Sequence, residues 1–445
     1  MHAQFDAHII YYSMIDTSVF DNKTVAFYTL GCKLNFSETS AIGKSLLEQG
    51  YRKVAPHEPA SLCIINTCSV TDSADKKCRQ TITKAIKENP GAFVIVTGCY
   101  AQLKPDDIVS IPDVDLVLGA NDKFSIPDII AKKTAMPDKL QASPTNRMTE
   151  FHHSYSSEDR TRHFLKVQDG CDYFCSYCTI PLARGRSRNG SIAQLVEDAR
   201  TIASLGGKEI VLTGVNIGDF GHSTNESFVD LLQALEKVEG IERFRISSIE
   251  PNLLTDEIIE LVAKSTKLMP HFHIPLQSGC NDVLNLMKRR YTTELFAQKI
   301  ATIKRLMPHA FIGVDVIVGV RGETTSYFET TYQFIESLPI SQLHVFSYSE
   351  RAGTQALKID HIVTPIEKKR RSQLLLALSE QKTATFYATH YHTTRPVLWE
   401  GTKRVGFMYG FTDNYIRAKT PYVAEKINTI ESILLTATNA STDKI

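Results

Sequence analysis

The sequence predicts an α/β protein in three parts: an N-terminal parallel α/β domain, a full or partial (βα) barrel, and a small C-terminal all-β barrel. Three observations predict it. From Thr24 short apolar strands alternate with helical stretches, the pattern of a parallel sheet. After a polar stretch a second series places six strands in roughly 200 residues, which suits a barrel better than another open sheet. The last fifty or so residues change to short strands and turns, the habit of a small all-β unit.

The elements follow in order. TVAFYTLGC reads as a strand and Ser37 to Gln49 as a helix stopped by Gly50. SLCIINTC is the next strand, Asp72 to Glu88 the next helix, and AFVIVTGC a third strand with a short helix near Pro105. VDLVLG is a fourth strand, with a helix from about Ser125. This first domain spans 22–135, and the polar residues 136–160 form a linker. The barrel spans 161–390, with strands HFLKVQDG, EIVLTG, RFRISS, HFHIPLQSG, FIGVDVIVG and QLHVFSYS. Helices lie between them, for example Ser191–Leu205 and Phe228–Val238, and IEKKRRSQLLLALSEQKTATFYATHY closes the series as a long helix. RPVLWEG, RVGFMYGFTDNYIRAKT and INTIESILLTAT are the strands of 391–445.

Composition excludes several classes. The 445 residues carry 50 Lys and Arg against 49 Asp and Glu, a net charge of +1, so a globally basic nucleic-acid coat protein is excluded. No apolar run reaches the ~18 residues of a membrane helix, so no membrane is expected among the partners. The N-terminal MHAQFDAHIIYYSMIDTSVFDN reads as neither a signal nor a transit peptide, and the expected compartment is the cytoplasm. Nine cysteines, an odd number and clustered, point to metal or catalysis rather than to a disulfide framework.

Cys171, Cys175 and Cys178 form a CxxxCxxC at the end of the first barrel strand. Three thiolates on one loop hold three irons of a [4Fe–4S] cluster and leave the fourth open for a ligand. Cys32, Cys68 and Cys99 each follow a separate strand of the first domain, 36 and 31 residues apart. The carboxyl ends of parallel strands share one edge, so three thiolates there could carry a second cluster. Cys63, Cys78 and Cys280 read as packed residues.

The CxxxCxxC loop resembles the radical S-adenosylmethionine (SAM) family, whose open iron chelates the amino and carboxylate groups of SAM. TLGCKLN, NTCSVT, TGCYAQ, DGCDYFCSYCTIPLARGRSR, EIVLTGVNIG, RISSIEP, HIPLQSGC, MKRRY and HVFSYSERAGT resemble, in order, blocks of the methylthiotransferase family. TLGCKLN with NTCSVT resembles the branch acting on threonylcarbamoyladenosine in tRNA. Branches acting on isopentenyladenosine or on a ribosomal-protein aspartate usually carry Gln-Met or Pro-Lys where this chain has Lys33-Leu34.

The resemblance implies a radical-SAM transferase that places sulfur and a methyl group on carbon 2 of the modified adenine at tRNA position 37, beside the anticodon. The two branches just mentioned are the alternatives. It implies two [4Fe–4S] clusters, two uses of SAM, an electron donor such as flavodoxin or ferredoxin, a sulfur source, and a C-terminal RNA-binding TRAM barrel. Tyr177 matches the position beside the adenine of SAM. Thr213, Gly214, Asn216, Ser248 and Gln277, small or polar groups at barrel strand ends, are further candidates for SAM binding. The family's proline-glycine-glutamate turn is replaced by Val320-Arg321-Gly322-Glu323, which removes the residue that presets the turn.

Candidate RNA contacts come in three groups. Residues 160–190 carry Arg160, Arg162, Lys166, Arg184, Arg186 and Arg188 against Asp169 and Asp172; the expected phosphate contacts are Arg184, Arg186 and Arg188. Lys288, Arg289 and Arg290 before Tyr291 form a second basic spot. In the tail, Lys403, Arg404, Arg417 and Lys419 accompany Phe407, Tyr409, Phe411 and Tyr415, a mixture suited to unpaired RNA.

Overall fold

The computed structural model describes residues 17–132, 139–156 and 161–440. The N-terminal residues 1–16, part of the expected linker and Arg160 lie outside the described residues. The chain divides into two compact units. The first takes the described residues up to Leu30, with Ile42–Cys68 and Lys76–Ser143; the second takes Gly31–Ala41, Ser69–Asp75 and Pro144 onward.

The first unit is a six-stranded parallel sheet. In chain order its elements are β1 (Thr24–Thr29), α1 (Lys33–Glu48), β2 (Arg52–Val54), β3 (Leu62–Thr67), α2 (Asp72–Glu88), β4 (Phe93–Gly98), α3 (Cys99–Leu103), α4 (Pro105–Val109), β5 (Leu116–Leu118), α5 (Ile126–Lys132) and β6 (Leu140–Gln141). The first nine residues of α1, up to Ala41, and the first turn of α2, up to Asp75, belong to the second unit. The strand order is β2-β1-β3-β4-β5-β6. LCIINT and FVIVTG are buried at every position, as strands covered on both faces must be. The sequence reading missed β2 and β6, which are two or three residues long and carry little pattern of their own. It began α1 four residues late, because the turn after Cys32 enters the helix directly.

The second unit contains β7 (Arg162–Lys166), β8 (Gln168–Asp169), α6 (Ile180–Arg184), β9 (Arg188–Asn189), α7 (Ile192–Ser204), β10 (Glu209–Thr213), α8 (Phe228–Glu236), β11 (Arg243–Ile246), α9 (Asp256–Lys264), β12 (His271–Gln277), α10 (Asn281–Leu286), α11 (Thr293–Leu306), β13 (Phe311–Val318), α12 (Thr325–Ser337), β14 (Gln342–Ser347) and α13 (Pro365–Ala388). Strands β7, β10 and β11 pair in parallel, as do β12, β13 and β14. Single parallel bridges, Phe244 to Leu268 and Ser248 to His273, join the two sets into a six-stranded partial barrel. Ser, Thr or Thr hydroxyls cap α7, α9 and α11 at Ser191, Thr255 and Thr292, each accepting a backbone N–H.

Each barrel strand has two faces, because successive side chains point opposite ways. Leu165, Ile210, Leu212, Phe244, Phe272, Ile274, Ile312 and Val314 pack outward with Leu195, Leu231, Ile259, Phe296 and Phe328 of the helices. The alternate positions turn into the lumen, and many are charged: Arg162 and Lys166, Glu209, Arg243 and Arg245, His271 and His273, Asp315, His344.

A four-stranded antiparallel sheet follows: β15 (Thr394–Arg404), β16 (Phe407–Thr412), β17 (Arg417–Pro421) and β18 (Ile430–Leu434), in the order β17-β16-β15-β18. Two barrel arginines fasten it. Arg243 donates to the carbonyls of Phe411 and Pro396 at 3.1 and 2.8 Å, and Arg245 to those of Asp413 and Thr412 at 2.8 and 2.6 Å. Glu209 answers both charges, with Arg245 Nε at 2.8 Å and Arg243 Nη1 at 3.7 Å.

A buried ion network anchors the start of α1. Glu38 meets Lys166 at 3.1 Å and Arg184 at 3.0 Å, and Asp169 meets Lys166, Arg184 and Arg188 at 2.8, 2.9 and 3.3 Å. Removing one partner leaves an uncompensated buried charge. Glu38→Ala is therefore expected to lose about 3–5 kcal/mol of folding stability. Chemical denaturation of the protein checks this; an unchanged midpoint would refute it.

Glu209 adds a pH dependence. Burial, the largest effect, pushes its carboxyl up, but Arg245 and Arg162 together outweigh burial and hold it below its ordinary value. A depressed folded-state value gives stability that is complete above the unfolded value, about 4.3, and is lost as pH falls through the folded one. Glu209→Gln should therefore be less stable at pH 7 yet lose less stability on acidification below about pH 4.5. Urea midpoints between pH 7 and 3 test it, and equal acid slopes would contradict it.

Candidate metal centre and cofactor site

The three-cysteine loop leaves the carboxyl end of β7 through Gly170. Gly170 sits at φ +70°, and a Cβ there would lie 2.0 Å from the Arg186 carbonyl oxygen, so only glycine fits. Cys171 N–H donates to the Gly185 carbonyl at 3.1 Å, and Cys178 N–H to that of Cys175 at 3.1 Å. Burial pushes the Cys171 and Cys178 thiols up to about 12. Burial also raises Cys175, opposed by Arg289, whose Nη1 donates to Cys175 Sγ at 3.0 Å. Thiols this hard to ionise become thiolates when a cation replaces their protons, which is the chemistry of an iron–sulfur ligand set.

Gln168 is a residue the sequence reading missed. Its Oε1 accepts from the backbone N–H groups of Val215 and Asn216, both at 2.9 Å. Its Nε2 donates to the carbonyls of Asp169 and Gly170 at 3.0 and 2.8 Å. One amide thus ties the start of the cysteine loop to the loop after β10. Arg289 and Glu250, paired with each other beside Cys175, were also missed as site residues. Arg289 had read as part of a basic surface spot; its side chain is 3% exposed.

The predicted SAM contacts divide. Asn216 is buried, and neither atom of its side-chain amide has a hydrogen-bond partner among the described residues. Gln277 sits at φ +65° at a register shift in β12, with its buried Oε1 also unpartnered. Buried polar atoms left this way fit a ligand that supplies the missing bonds. Gly214 and Ser248 line the lumen. Tyr177 packs against a cluster that includes Cys280, Val283 and Met287. Thr213 is different: its hydroxyl donates to the Leu165 carbonyl at 3.0 Å, so it joins two strands.

The replaced turn forms without proline. Glu323 N–H donates to the Val320 carbonyl at 3.1 Å, and Gly322 takes φ +88°. Arg321 reaches Glu350 at 2.7 Å and the Leu357 carbonyl at 2.8 Å, so its side chain supplies the anchorage that a ring would have preset.

In the first unit, Cys68 and Cys99 each stand one residue beyond neighbouring parallel strands, whose last partners are Thr67 and Gly98. Gly98, at φ +100°, brings the two strand ends together; a Cβ would lie 2.4 Å from the Thr67 carbonyl oxygen. Cys78 Sγ bonds the backbone of Cys68, donating to its carbonyl at 3.2 Å. It therefore holds the loop. Cys63 is enclosed within β3, and burial pushes its thiol up to about 12. Cys32, in the second unit, is exposed and lines the lumen.

The lumen is a cavity of about 490 Å³. Lys33, Arg162 and Arg245 line it with Tyr415. Burial would raise the Tyr415 phenol, but Arg162, Lys33 and Arg245 outweigh burial and lower it. Farther along, His273 Nε2 lies 2.7 Å from Asp315, and His344 joins them within 4.8 Å.

Two of the proposed RNA contacts are corrected. Arg184 is 2% exposed and bonds Glu38, Asp169 and Asn35; Arg188, also buried, bonds Asp169 and three carbonyls. Neither side chain is available to a phosphate. Arg186 is exposed beside Asp172, and Lys403 and Arg404 are exposed, with Lys419 half-buried. Arg417 is largely buried, stacked at 4.0 Å on Tyr409.

Comparison with known proteins agrees with this geometry. Residues 24–119 match the uncharacterized protein family UPF0004, and residues 165–335 the radical SAM superfamily. The threonylcarbamoyladenosine tRNA methylthiotransferase MtaB of Bacillus subtilis (strain 168) is 40% identical over 88% of this chain and 89% of that protein. The MtaB of Aquifex aeolicus (strain VF5) is 37% identical over 82% and 89%. The chain belongs to the radical-SAM methylthiotransferases of the MtaB type. A tRNA-2-methylthio-N(6)-dimethylallyladenosine synthase, from Syntrophus aciditrophicus (strain SB), is 32% identical over 82% of this chain and 80% of that protein. The radical SAM methyltransferase TsrM from Kitasatospora setae shares the fold, with a TM-score of 0.55 at 14% identity over 73% of each chain.

The unpartnered amides make a measurable prediction. Asn216→Ala and Gln277→Ala should each weaken SAM binding about tenfold, the loss of one good hydrogen bond. Thr213→Val should instead lower stability and leave the SAM affinity near wild type. Equilibrium binding of SAM to the reconstituted protein decides, and unchanged affinity in both amide variants would remove them from the site.

Proposed function

We propose that this methylthiotransferase acts on tRNA, adding sulfur and methyl to carbon 2 of threonylcarbamoyladenosine at position 37. The observation that carries the reading is a three-thiol loop following the first barrel strand, in a chain 40% identical to an MtaB over most of its length. Cys171, Cys175 and Cys178 hold one [4Fe–4S] cluster; Cys32, Cys68 and Cys99 hold a second. When bound, the first cluster supplies the electron that opens the sulfonium bond of SAM.

The chain's own residues do the positioning. Gln168 fixes the cysteine loop against the β10 loop, and Arg289 donates to Cys175 Sγ. Asn216 and Gln277 take hydrogen bonds from SAM, with Gly214, Ser248 and Tyr177 shaping the space. Cys32, Cys68 and Cys99 would hold the group that serves sulfur delivery. The C-terminal sheet is a TRAM domain that holds RNA through Lys403, Arg404 and Lys419, with Arg186 adding a contact beside the barrel mouth. A flavodoxin or ferredoxin supplies electrons, a separate sulfur source restores the donor, and the enzyme works in the cytoplasm.

Mass spectrometry of tRNA nucleosides with and without the gene tests the reaction; loss of the 2-methylthio form of threonylcarbamoyladenosine is expected. The cysteine sets separate the two clusters. Replacing Cys171, Cys175 and Cys178 by Ala should abolish SAM cleavage and leave about half the iron. Replacing Cys32, Cys68 and Cys99 should block sulfur insertion while SAM cleavage survives, and Cys63→Ala should do neither. A Cys63 variant that behaves like the Cys68 variant would overturn the ligand assignment.

A further inference from the structure

The barrel interior is an unusual place to store positive charge. Lys33, Arg162 and Arg245 all line the 490 Å³ cavity, and no carboxylate is among the lining residues described. The two arginines are partly occupied from behind. Arg162 Nε meets Glu400 at 2.7 Å, and Arg245 meets Glu209 and two carbonyls of the C-terminal sheet. Among the described residues no carboxylate pairs with the Lys33 side chain; Tyr415, on the same wall, is the group that opposes the effect of burial on it. His271, on the same wall, has a buried Nδ1 with no partner. Arg162 and Arg245 have carboxylates behind them and Lys33 has none; a buried cation without a counter-charge is costly, so the open side of the cavity suits an anion.

This inference rests on the function proposed above. Threonylcarbamoyladenosine carries an amino acid on N6, and that amino acid ends in a carboxylate. The dimethylallyl group named in the synthase of Syntrophus aciditrophicus is a hydrocarbon on the same nitrogen. A hydrocarbon in this cavity would desolvate three cations and answer none of them. The cavity also lies within the roughly 300–1,000 Å³ range of small-ligand sites. Lys33 follows Cys32 directly, so recognition of the N6 group and the cysteine of the second cluster share one turn of chain.

We propose that Lys33, with Arg162 and Arg245 behind it, binds the carboxylate of the substrate's N6 threonyl group and thereby selects an acid-bearing adenine over one with an apolar N6 group. Lys33 makes the direct ion pair. Arg162 and Arg245, already held by Glu400 and Glu209, supply a fixed positive wall.

The test uses three anticodon stem-loop RNAs that differ only at position 37: threonylcarbamoyladenosine, its methyl ester, and adenosine. Binding to the full-length protein is read by fluorescence anisotropy. The wild type should bind the acid at least about tenfold more tightly than the ester, the size of one charge-assisted hydrogen bond. Lys33→Met should reduce that ratio to within about twofold, and Lys33→Arg should keep most of it. If the wild type binds acid and ester alike, the proposal falls. If Lys33→Met weakens all three RNAs by the same factor, the lysine reads an RNA phosphate and the proposal also falls. Turnover of the acid stem-loop with SAM and a reductant is measured separately. A wild type that prefers the acid yet never methylthiolates it would sink the proposed reaction while leaving carboxylate recognition intact.

Discussion

A buried group of five charges holds the machinery of the second unit in place. Glu38, at the start of α1, and Asp169, at the start of the cysteine loop, share Lys166 and Arg184, while Arg188 adds to Asp169. Burial alone would raise Asp169, but Lys166, Arg184 and Arg188 outweigh it and hold its carboxyl well below the usual range. Such a network is a poor source of net stability compared with apolar packing, yet it tolerates few alternative geometries. Here it fixes three things relative to one another: the turn bearing Cys32 and Lys33, the first barrel strand, and the loop of Cys171.

The barrel owes its function to strands that are apolar on one face and charged on the other. The outer face buries leucine, isoleucine and phenylalanine under helices. The inner face keeps Arg162, Arg245, His271 and His273 around a cavity. A packed apolar lumen would be more stable. A polar one needs partners for each charge, and the C-terminal sheet supplies several as backbone carbonyls to Arg243 and Arg245. That sheet therefore has a structural task in addition to its proposed RNA contacts. Deleting it would strand two buried guanidinium groups, so surface substitutions at Lys403, Arg404 and Lys419 are a cleaner probe of RNA binding than truncation.

The site's chemistry shows the same economy of small groups. A glycine at Gly170 allows the cysteine loop to touch the Arg186 backbone, and one glutamine amide at Gln168 satisfies four backbone groups. Beside them, the amides of Asn216 and Gln277 remain open. Groups already spent on the fold, such as Thr213 and Cys78, are thereby told apart from groups left for a ligand.

The sequence by itself determined the strand–helix alternation, the partial barrel and the position of each motif cysteine at a strand end. Hydrophobic period and chain order are local properties, and both survive without knowledge of contacts. Even the charged lumen was half visible, since RFRI and HFHI alternate charged or imidazole side chains with apolar ones. Tertiary structure alone decided which alternate face was the interior, and which arginines were spent. Arg184, Arg186 and Arg188 lie within five residues and read alike, yet only Arg186 remains exposed. The difference is made by Glu38 and Asp169, one of them 146 residues from Arg184 in the chain. A charge's role depends on what pairs with it, and no local pattern records a partner so far away in sequence.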